Sequence, residues 1–222
     1  MTLTEAMHNR HSVRAYLDEP IENEVREALQ KKVNEINEQS GLKITLFFDE
    51  PQAFSGKLAK YGKFKNCKNY AAIVAKNDED EKVGYFGEEL VLFAQSIGVN
   101  SCWVGLTYSK KAVNVVLEEN ERLLIVIALG YGENQGTQHK NRALKDLCST
   151  GDQEMPEWFL RAMSAAMTAP TAVNQQKFHF SLLEDGSTVK AKALFGPYSK
   201  MDLGIVKYHF EIGAAEQSFK WE

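Results

Sequence analysis

The fold of this chain is indicated by Ala169-Pro170-Thr171-Ala172-Val173-Asn174-Gln175-Gln176, read together with Asn9-Arg10-His11-Ser12-Val13-Arg14 near the opposite end. The Asn9–Arg14 stretch offers two guanidinium groups and a hydroxyl, a set that can bind a phosphate through charge-assisted hydrogen bonds. The Ala169–Gln176 stretch offers side-chain amides, which both donate and accept hydrogen bonds. Such amides match the edge of an isoalloxazine ring, where donor and acceptor atoms alternate. Each stretch is weak evidence alone, and together they indicate a flavin site.

Helical and strand patterns alternate on both sides of these stretches. Apolar residues at steps of three and four predict helices, and short apolar runs predict strands. The predicted helices run from 2 towards 10, from 20 to 41, over 84–98, over 109–117, from 156 to 170 and over 202–214. The predicted strands cover 42–48, 70–75, 123–129 and 177–183. The acidic run 78–81 is interpreted as a solvated turn, and the polar region 132–145 as a loop or interdomain crossing.

The two stretches resemble marks of the FMN-dependent nitroreductase family, namely an Arg-x-Ser-x-Arg/Lys run near the start and a Pro-Ser/Thr-x-x-Asn-x-Gln run. Here they are Arg10-His11-Ser12-Val13-Arg14 and Pro170-Thr171-Ala172-Val173-Asn174-Gln175-Gln176. A third segment, Gly98-Val99-Asn100-Ser101-Cys102-Trp103-Val104-Gly105, resembles the family loop whose backbone N–H groups face the flavin N5 region. A fourth resemblance is Gly130-Tyr131-Gly132 followed by Lys140-Asn141-Arg142-Ala143-Leu144, similar to a glycine turn and a basic segment that returns to the phosphate. These marks span nearly the whole chain.

The order of the marks differs from most of the family. Usually the Pro-Ser-x-x-Asn-x-Gln run follows the Arg-x-Ser run closely, whereas here it lies in the last third of the chain. This order resembles a diverged subgroup of nitroreductases. Because of this changed order, the sequence indicates the cofactor more clearly than the substrate.

The resemblance implies an α+β, nitroreductase-like fold over residues 1–222, with central antiparallel or mixed sheets flanked by helices. An internal repeat adds to this: Lys82-Val83-Gly84-Tyr85-Phe86 and Asp202-Leu203-Gly204-Ile205-Val206 each lead into a long apolar helix. The family is usually a homodimer with FMN in its interface. We therefore expect a fused pseudo-dimer, with half-units 1–150 and 151–222 and one FMN between them, although a true homodimer stays open.

The resemblance also implies the cofactor-binding residues. Arg10, Ser12 and Arg142 are candidates for the phosphate, Arg14 for the phosphate or the anionic flavin edge, and Lys140 for a lesser electrostatic role. The remaining candidates line the ring or its surroundings by side chain or backbone; they are His11, Trp103, Val104, Gly105, Pro170, Thr171, Ala172, Asn174 and Gln176. No catalytic nucleophile and no metal are expected, because the flavin carries the chemistry.

Composition and charge favour small-molecule partners. The chain has 222 residues and a net charge of -4, which gives no electrostatic reason to expect nucleic acid or an anionic membrane as partner. Cys67, Cys102 and Cys148 are odd in number and far apart, so neither a disulfide framework nor a zinc site is indicated. No apolar run has the length of a spanning helix. We expect a cytoplasmic protein.

The function that these features predict is an FMN-dependent oxidoreductase. It would take hydride from NADH or NADPH and pass it to an electron-poor acceptor such as a nitroaromatic or a quinone. Two alternatives stay open: a flavin-binding sensor or carrier without turnover, and a structural relative that binds no flavin. Flavin colour and its bleaching by NAD(P)H distinguish the three.

Overall fold

The computed structural model describes all residues, Met1–Glu222, and divides into two compact units. Unit 1 consists of Met1–Glu79 and Glu89–Thr137, and unit 2 consists of Asp80–Glu88 and Gln138–Glu222. The helices are α1 (Leu3–Asn9), α2 (Asn23–Ser40), α3 (Lys57–Tyr61), α4 (Asp80–Ser96), α5 (Glu157–Ala166) and α6 (Ser199–Ala214). The strands are β1 (Lys43–Phe47), β2 (Asn69–Lys76), β3 (Asn100–Val104), β4 (Glu121–Gly130), β5 (Cys148–Ser149), β6 (Phe178–Leu182), β7 (Thr188–Ala193) and β8 (Lys220–Trp221). No helix combines the length and apolarity needed to cross a membrane.

Unit 1 contains an antiparallel sheet with strand order β1-β2-β4-β3. Its two central strands are apolar along nearly their whole length, as expected for strands buried on both faces. One side of the unit is filled by aromatic side chains, with the rings of Phe47 and Tyr70 stacked at 4.9 Å and those of Phe54 and Phe64 also at 4.9 Å.

Unit 2 contains a mixed sheet with strand order β5-β6-β7-β8. The β6–β7 pair is antiparallel, and the two short outer strands pair in parallel. Phe210 of α6 is fully buried and stacks on Phe180 of β6 at 4.9 Å, with Phe159 at 5.6 Å and Trp221 at 5.3 Å. This aromatic cluster attaches α5 and α6 to the sheet.

The ends of the first two helices follow from their sequences. Thr2 and Glu5 form a capping box: the Thr2 hydroxyl accepts from the Glu5 amide at 3.2 Å, and the Glu5 carboxylate accepts from the Thr2 amide at 2.8 Å. Helix α2 ends at Gly41, which has φ of 70° and so adopts the left-handed conformation that glycine accepts without strain. Both ends lie where the sequence predicts them.

Helices α4 and α6 approach each other through two glycines, within unit 2. A Cβ added at Gly84 would lie 1.9 Å from the carbonyl oxygen of Met201, and one added at Gly204 would lie 1.8 Å from that of Glu81. Each glycine therefore faces a backbone carbonyl of the other helix. That carbonyl belongs to the residue three positions before the other glycine, namely Met201 before Gly204 and Glu81 before Gly84. These are the glycines of the predicted repeat, and the contact between them is reciprocal.

A buried polar chain also joins elements of unit 2. His209 of α6 and Glu88 of α4 are both fully buried, and the His209 Nε2 lies 2.9 Å from the Glu88 Oε1. The other ring nitrogen, Nδ1, lies 2.9 Å from the Thr168 hydroxyl, which also bonds to the Ala165 carbonyl at 2.7 Å. Burial without these partners would cost several kcal/mol, so the chain of bonds fixes α6 against its neighbours.

Three sequence predictions differ from the structure. The predicted helix over 109–117 is wrong: only a 3₁₀ turn forms there, over Lys110–Ala112. Its sequence is rich in valine, whose β-branched side chain disfavours helix. The acidic run is not a turn throughout, because Asp80 and Glu81 form the first turn of α4, where the helix dipole favours negative charge. The helix before Pro170 ends earlier, at Ala166.

Candidate functional site

The Arg-His-Ser-Val-Arg segment leaves α1 in an extended conformation. Arg10 caps the helix with φ of -71° and ψ of 118°, and its amide still bonds to the Ala6 carbonyl. Ser12 then pairs with Ser101 of β3 as an isolated parallel bridge, and the Val13 amide donates to the Ser101 carbonyl at 3.0 Å. The segment is thereby fixed beside the strand that ends at Val104.

The polar groups of this segment act on the pKa of one residue of β3. Burial raises the pKa of the Cys102 thiol, while Arg14, a hydrogen bond from Ser12, and Arg10 each act to lower it. Arg10 is buried, with 3 % of its surface exposed, whereas Arg14 is exposed. The segment thus carries two guanidinium groups and a hydroxyl within five residues, and groups of this kind can bind a phosphate.

The glycine turn after β4 packs on the same segment. The Gly132 amide donates to the Asn100 side chain at 3.0 Å, and a Cβ added at Gly130 would lie 2.8 Å from the Tyr16 ring. Gly136 has φ of 72°, and a Cβ there would lie 2.7 Å from the His11 Cβ. The loop thus covers His11, which is half-buried. The structure brings the predicted Arg-x-Ser, glycine-turn and β3 segments together within unit 1.

Trp103 and Val104 are the last residues of β3, and Gly105 is the first residue beyond it. Val104 pairs with Val126 of β4 and is buried, whereas Trp103 and Gly105 are half-buried. A strand end followed by glycine lets a planar ligand approach the backbone closely. That this backbone faces the flavin N5 region stays a prediction.

In unit 2, the Pro170–Gln176 segment forms a strained turn. A 3₁₀ turn covers Ala172–Asn174, and Val173, Asn174 and Gln176 have φ of 46°, 55° and 45°. A β-branched residue rarely adopts positive φ, and Val173 does so with its side chain 93 % exposed. Such strain persists only where surrounding contacts over-determine the backbone, and it concentrates at functional sites.

The amides of this turn hold the basic segment 140–142. The Gln176 Oε1 accepts from the Arg142 amide at 3.0 Å, and its Nε2 donates to the Lys140 carbonyl at 2.8 Å. The Asn174 Nδ2 donates to the same carbonyl at 2.9 Å, and the Gln176 amide donates to the Thr171 hydroxyl at 3.0 Å. The structure therefore places Lys140 and Arg142 beside the turn, with both side chains exposed. The two amide side chains make bonds within the protein, a use that the sequence does not reveal.

A buried carboxylate supports the turn from α6. The Asp202 Oδ1 accepts from the Ala172 amide at 3.0 Å, and its Oδ2 accepts from the Gln175 Nε2 at 2.7 Å. Gln175 also donates to the Pro197 carbonyl at 2.7 Å. Asp202 is only 3 % exposed, and this burial raises its pKa to about 6 although both hydrogen bonds act to lower it. Asp202 and Gln175 support the turn that holds the predicted site residues, and the sequence prediction included neither of them.

The fold resembles that of solved nitroreductase-family structures. A crystal structure from Thermotoga maritima described as a putative nitroreductase has a TM-score of 0.66 and 22% identity, covering 96% of this chain and 83% of that chain. A structure described as a putative nitroreductase in complex with FMN, from Desulfovibrio desulfuricans, has a TM-score of 0.52 and 12% identity, covering 70% of this chain and 99% of that one. The fold and its segments define a nitroreductase-type, α+β protein, and the predicted fold class is confirmed.

The family assignment is more specific. The family model described as "Putative TM nitroreductase" matches residues 2–214. The chain therefore belongs to this nitroreductase family, and its class is oxidoreductase. It has no match among curated proteins.

Proposed function

We propose that this chain binds FMN and uses it to pass hydride from NADH or NADPH to an electron-poor small molecule, such as a nitroaromatic or a quinone. The observation that carries the proposal is the Arg10–Arg14 segment, which holds two guanidinium groups and a hydroxyl and is paired through Ser12 with Ser101 of β3. A structure of similar fold, described as a putative nitroreductase, was crystallised in complex with FMN. We expect the chain to act in the cytoplasm on small molecules rather than on nucleic acid or membranes.

The donor chemistry of both segments fits FMN. Arg10, Ser12 and Arg142 would bind the phosphate, with Arg14 there or at the anionic ring edge and Lys140 in a lesser role. Bound FMN would supply reversible hydride uptake at N5. The backbone after β3 would face that atom, and the strained turn would line the ring. Guanidinium charge near the ring would stabilise the negative charge that reduction creates.

Anaerobic absorbance spectra test this function directly. The protein is reconstituted with FMN, freed of unbound flavin, and recorded before and after addition of NADH or NADPH. Retained flavin whose oxidised bands disappear supports the oxidoreductase. Retained flavin that neither donor reduces supports a carrier or sensor instead, and loss of all flavin removes the proposal.

Two separate serine substitutions distinguish a loss of phosphate binding from a general effect on folding. Ser12→Ala removes one donor to a doubly charged phosphate, so the Kd for FMN should rise at least about tenfold. Ser164→Ala is the control, because Ser164 is exposed on α5 and its hydroxyl bonds only to the Leu160 carbonyl. Equal FMN affinity of both variants would contradict a role for Ser12.

We further propose that the chain is a fused pseudo-dimer with half-units 1–150 and 151–222 that binds one FMN per monomer. The reciprocal approach of Gly84 and Gly204 supports it, because the two repeats of the sequence meet in equivalent positions. Light scattering combined with flavin quantification tests it. Two FMN per chain, or flavin retained only by a dimer, would refute the pseudo-dimer.

A further inference from the structure

Helix α3 and the turn that follows it carry an exposed, basic and aromatic face in unit 1 that the proposed cofactor site does not use. Lys57, Lys60 and Lys63 are exposed, and no carboxylate pairs with any of them. Tyr61 is 84 % exposed and Leu58 is 56 % exposed. The residues from 51 to 77 include six lysines and no aspartate or glutamate, and of these six only Lys65 and Lys68 form ion pairs, with Glu133 and Asp18.

This face has a defined geometry. Lys57 and Lys60 are three residues apart and Lys57 and Tyr61 four apart, so the three side chains are neighbours on one side of the helix. Ala59 is buried on the opposite side, and the Phe64 amide bonds to its carbonyl at 2.9 Å. The orientation of the helix, and hence of its exposed face, is therefore fixed.

The sequence of α3 departs from what stability alone favours. Like charges at this spacing destabilise a helix, and here no acidic neighbour relieves them. An exposed tyrosine between two lysines adds no buried contact that would offset this cost. Departures from local rules of this kind are expected at functional sites.

The same helix adjoins the loop after β3. A Cβ added at Gly62 would lie 2.6 Å from the Thr107 side chain, and the Ser109 amide donates to the Ala53 carbonyl at 2.8 Å. Thr107 follows Gly105 and the 72 % exposed Leu106. The basic face therefore borders the segment proposed to present its backbone to the flavin N5.

We propose that the α3 face binds the adenosine 2′-phosphate end of NADPH, and that the chain thereby prefers NADPH to NADH. Lysine ammonium groups suit a terminal dianionic phosphate, and an exposed aromatic ring suits stacking by adenine. NADPH meets both requirements, and NADH lacks the phosphate. The inference rests on the proposed function, because it names the electron donor of that site.

Binding of 2′,5′-ADP, NADP⁺ and NAD⁺ to FMN-loaded protein tests the inference by calorimetry, independently of turnover. Exposed ion pairs are each worth only a few-fold in affinity, so Lys57→Gln combined with Lys60→Gln should raise the Kd for 2′,5′-ADP and NADP⁺ about tenfold. The Kd for NAD⁺ should change less than about twofold. Tyr61→Ala should weaken NADP⁺ and NAD⁺ alike. Lys31→Gln combined with Lys192→Gln removes equal charge from exposed positions elsewhere and should change none of these values.

The outcomes distinguish a failure of NADPH binding at α3 from a failure of FMN binding. FMN content is measured for every variant before titration, so a wild-type chain that retains no FMN overturns the proposed function and this inference together. If the wild-type chain retains FMN and the lysine double variant loses affinity for NADP⁺ and NAD⁺ equally, or for neither, only the inference is overturned. Pyrophosphate binding as tight as that of 2′,5′-ADP, with no effect of Tyr61→Ala, would show a general anion surface and would overturn it as well.

Discussion

Replacing Asp202 by asparagine should raise stability at neutral pH while weakening the candidate flavin site. Burial raises the pKa of Asp202 from 3.8 to about 6, which at about 1.4 kcal/mol per pH unit corresponds to roughly 3 kcal/mol. Because the folded-state pKa is raised, the neutral carboxyl is the form that folding favours. The contribution to stability is therefore fully present below about pH 4 and is lost as the pH rises through about 6.

The net effect of Asp202→Asn follows from two opposing changes. The variant removes the cost of burying a charge, roughly 3 kcal/mol at pH 7.5. It keeps an oxygen for the Ala172 amide but loses the acceptor for Gln175, a bond to the neutral carboxyl worth roughly 0.5 to 1.5 kcal/mol. We expect a net gain of about 2 kcal/mol at pH 7.5, changing to a net loss of about 1 kcal/mol near pH 4. The turn then lacks its Gln175 support, so the Kd for FMN should rise several-fold.

Urea unfolding of flavin-free protein at pH 4, 5, 6 and 7.5 measures this crossover. Asp185→Asn is the control of opposite sign, because hydrogen bonds from Thr188 and Ser187 lower the pKa of Asp185 to about 2. Asp185 thus stays ionised throughout this range in the folded protein, and its loss should destabilise the chain at pH 5 and above by a constant amount. A stability difference between wild type and Asp202→Asn that does not change with pH would refute the reasoning.

Two further substitutions test the packing of unit 2. Gly204→Ala should destabilise the chain by about 3 kcal/mol in thermal or urea unfolding, because the added Cβ meets backbone atoms. Gly56→Ala is the control: its Cβ meets no atom within 4 Å, so stability should change by less than about 0.5 kcal/mol. Equal effects of the two substitutions would contradict the close contact at Gly204. Glu88→Ala should lower the free energy of unfolding by about 3 kcal/mol or more, because the buried His209 Nε2 loses its carboxylate partner. An unchanged stability in the same assay would show that the pair contributes nothing.

The sequence predicts what depends on local chemistry. The capping box at Thr2, the glycine at the end of α2 and the apolar central strands all lie where patterns place them. The Arg10–Arg14 segment and the Pro170–Gln176 turn are likewise recognisable, because their residue types are unusual for their positions. Local signals of this kind act within a few residues, so one chain segment contains them entirely.

The parts that sequence could not predict depend on distant backbone. Asn174 and Gln176 were identified by their amides, yet their partner is the carbonyl of Lys140, a group that every residue type carries. Asp202 stands out as an acid in an apolar helix, but its partners Ala172 and Gln175 lie 30 and 27 residues earlier in the chain. Val113 shows the reverse case, where apolar spacing indicated a helix and β-branching prevented one.

The reciprocal glycines of α4 and α6 have a consequence for how the chain can vary. The atoms that would obstruct a side chain at Gly84 or Gly204 are carbonyl oxygens of Met201 and Glu81, and no substitution at those two positions removes them. A second mutation at Met201 or Glu81 therefore cannot make room for a larger residue at either glycine by shortening a side chain. A genetic selection for recovered function after Gly204→Val should return glycine, or another small residue, at the same codon, with few suppressors elsewhere.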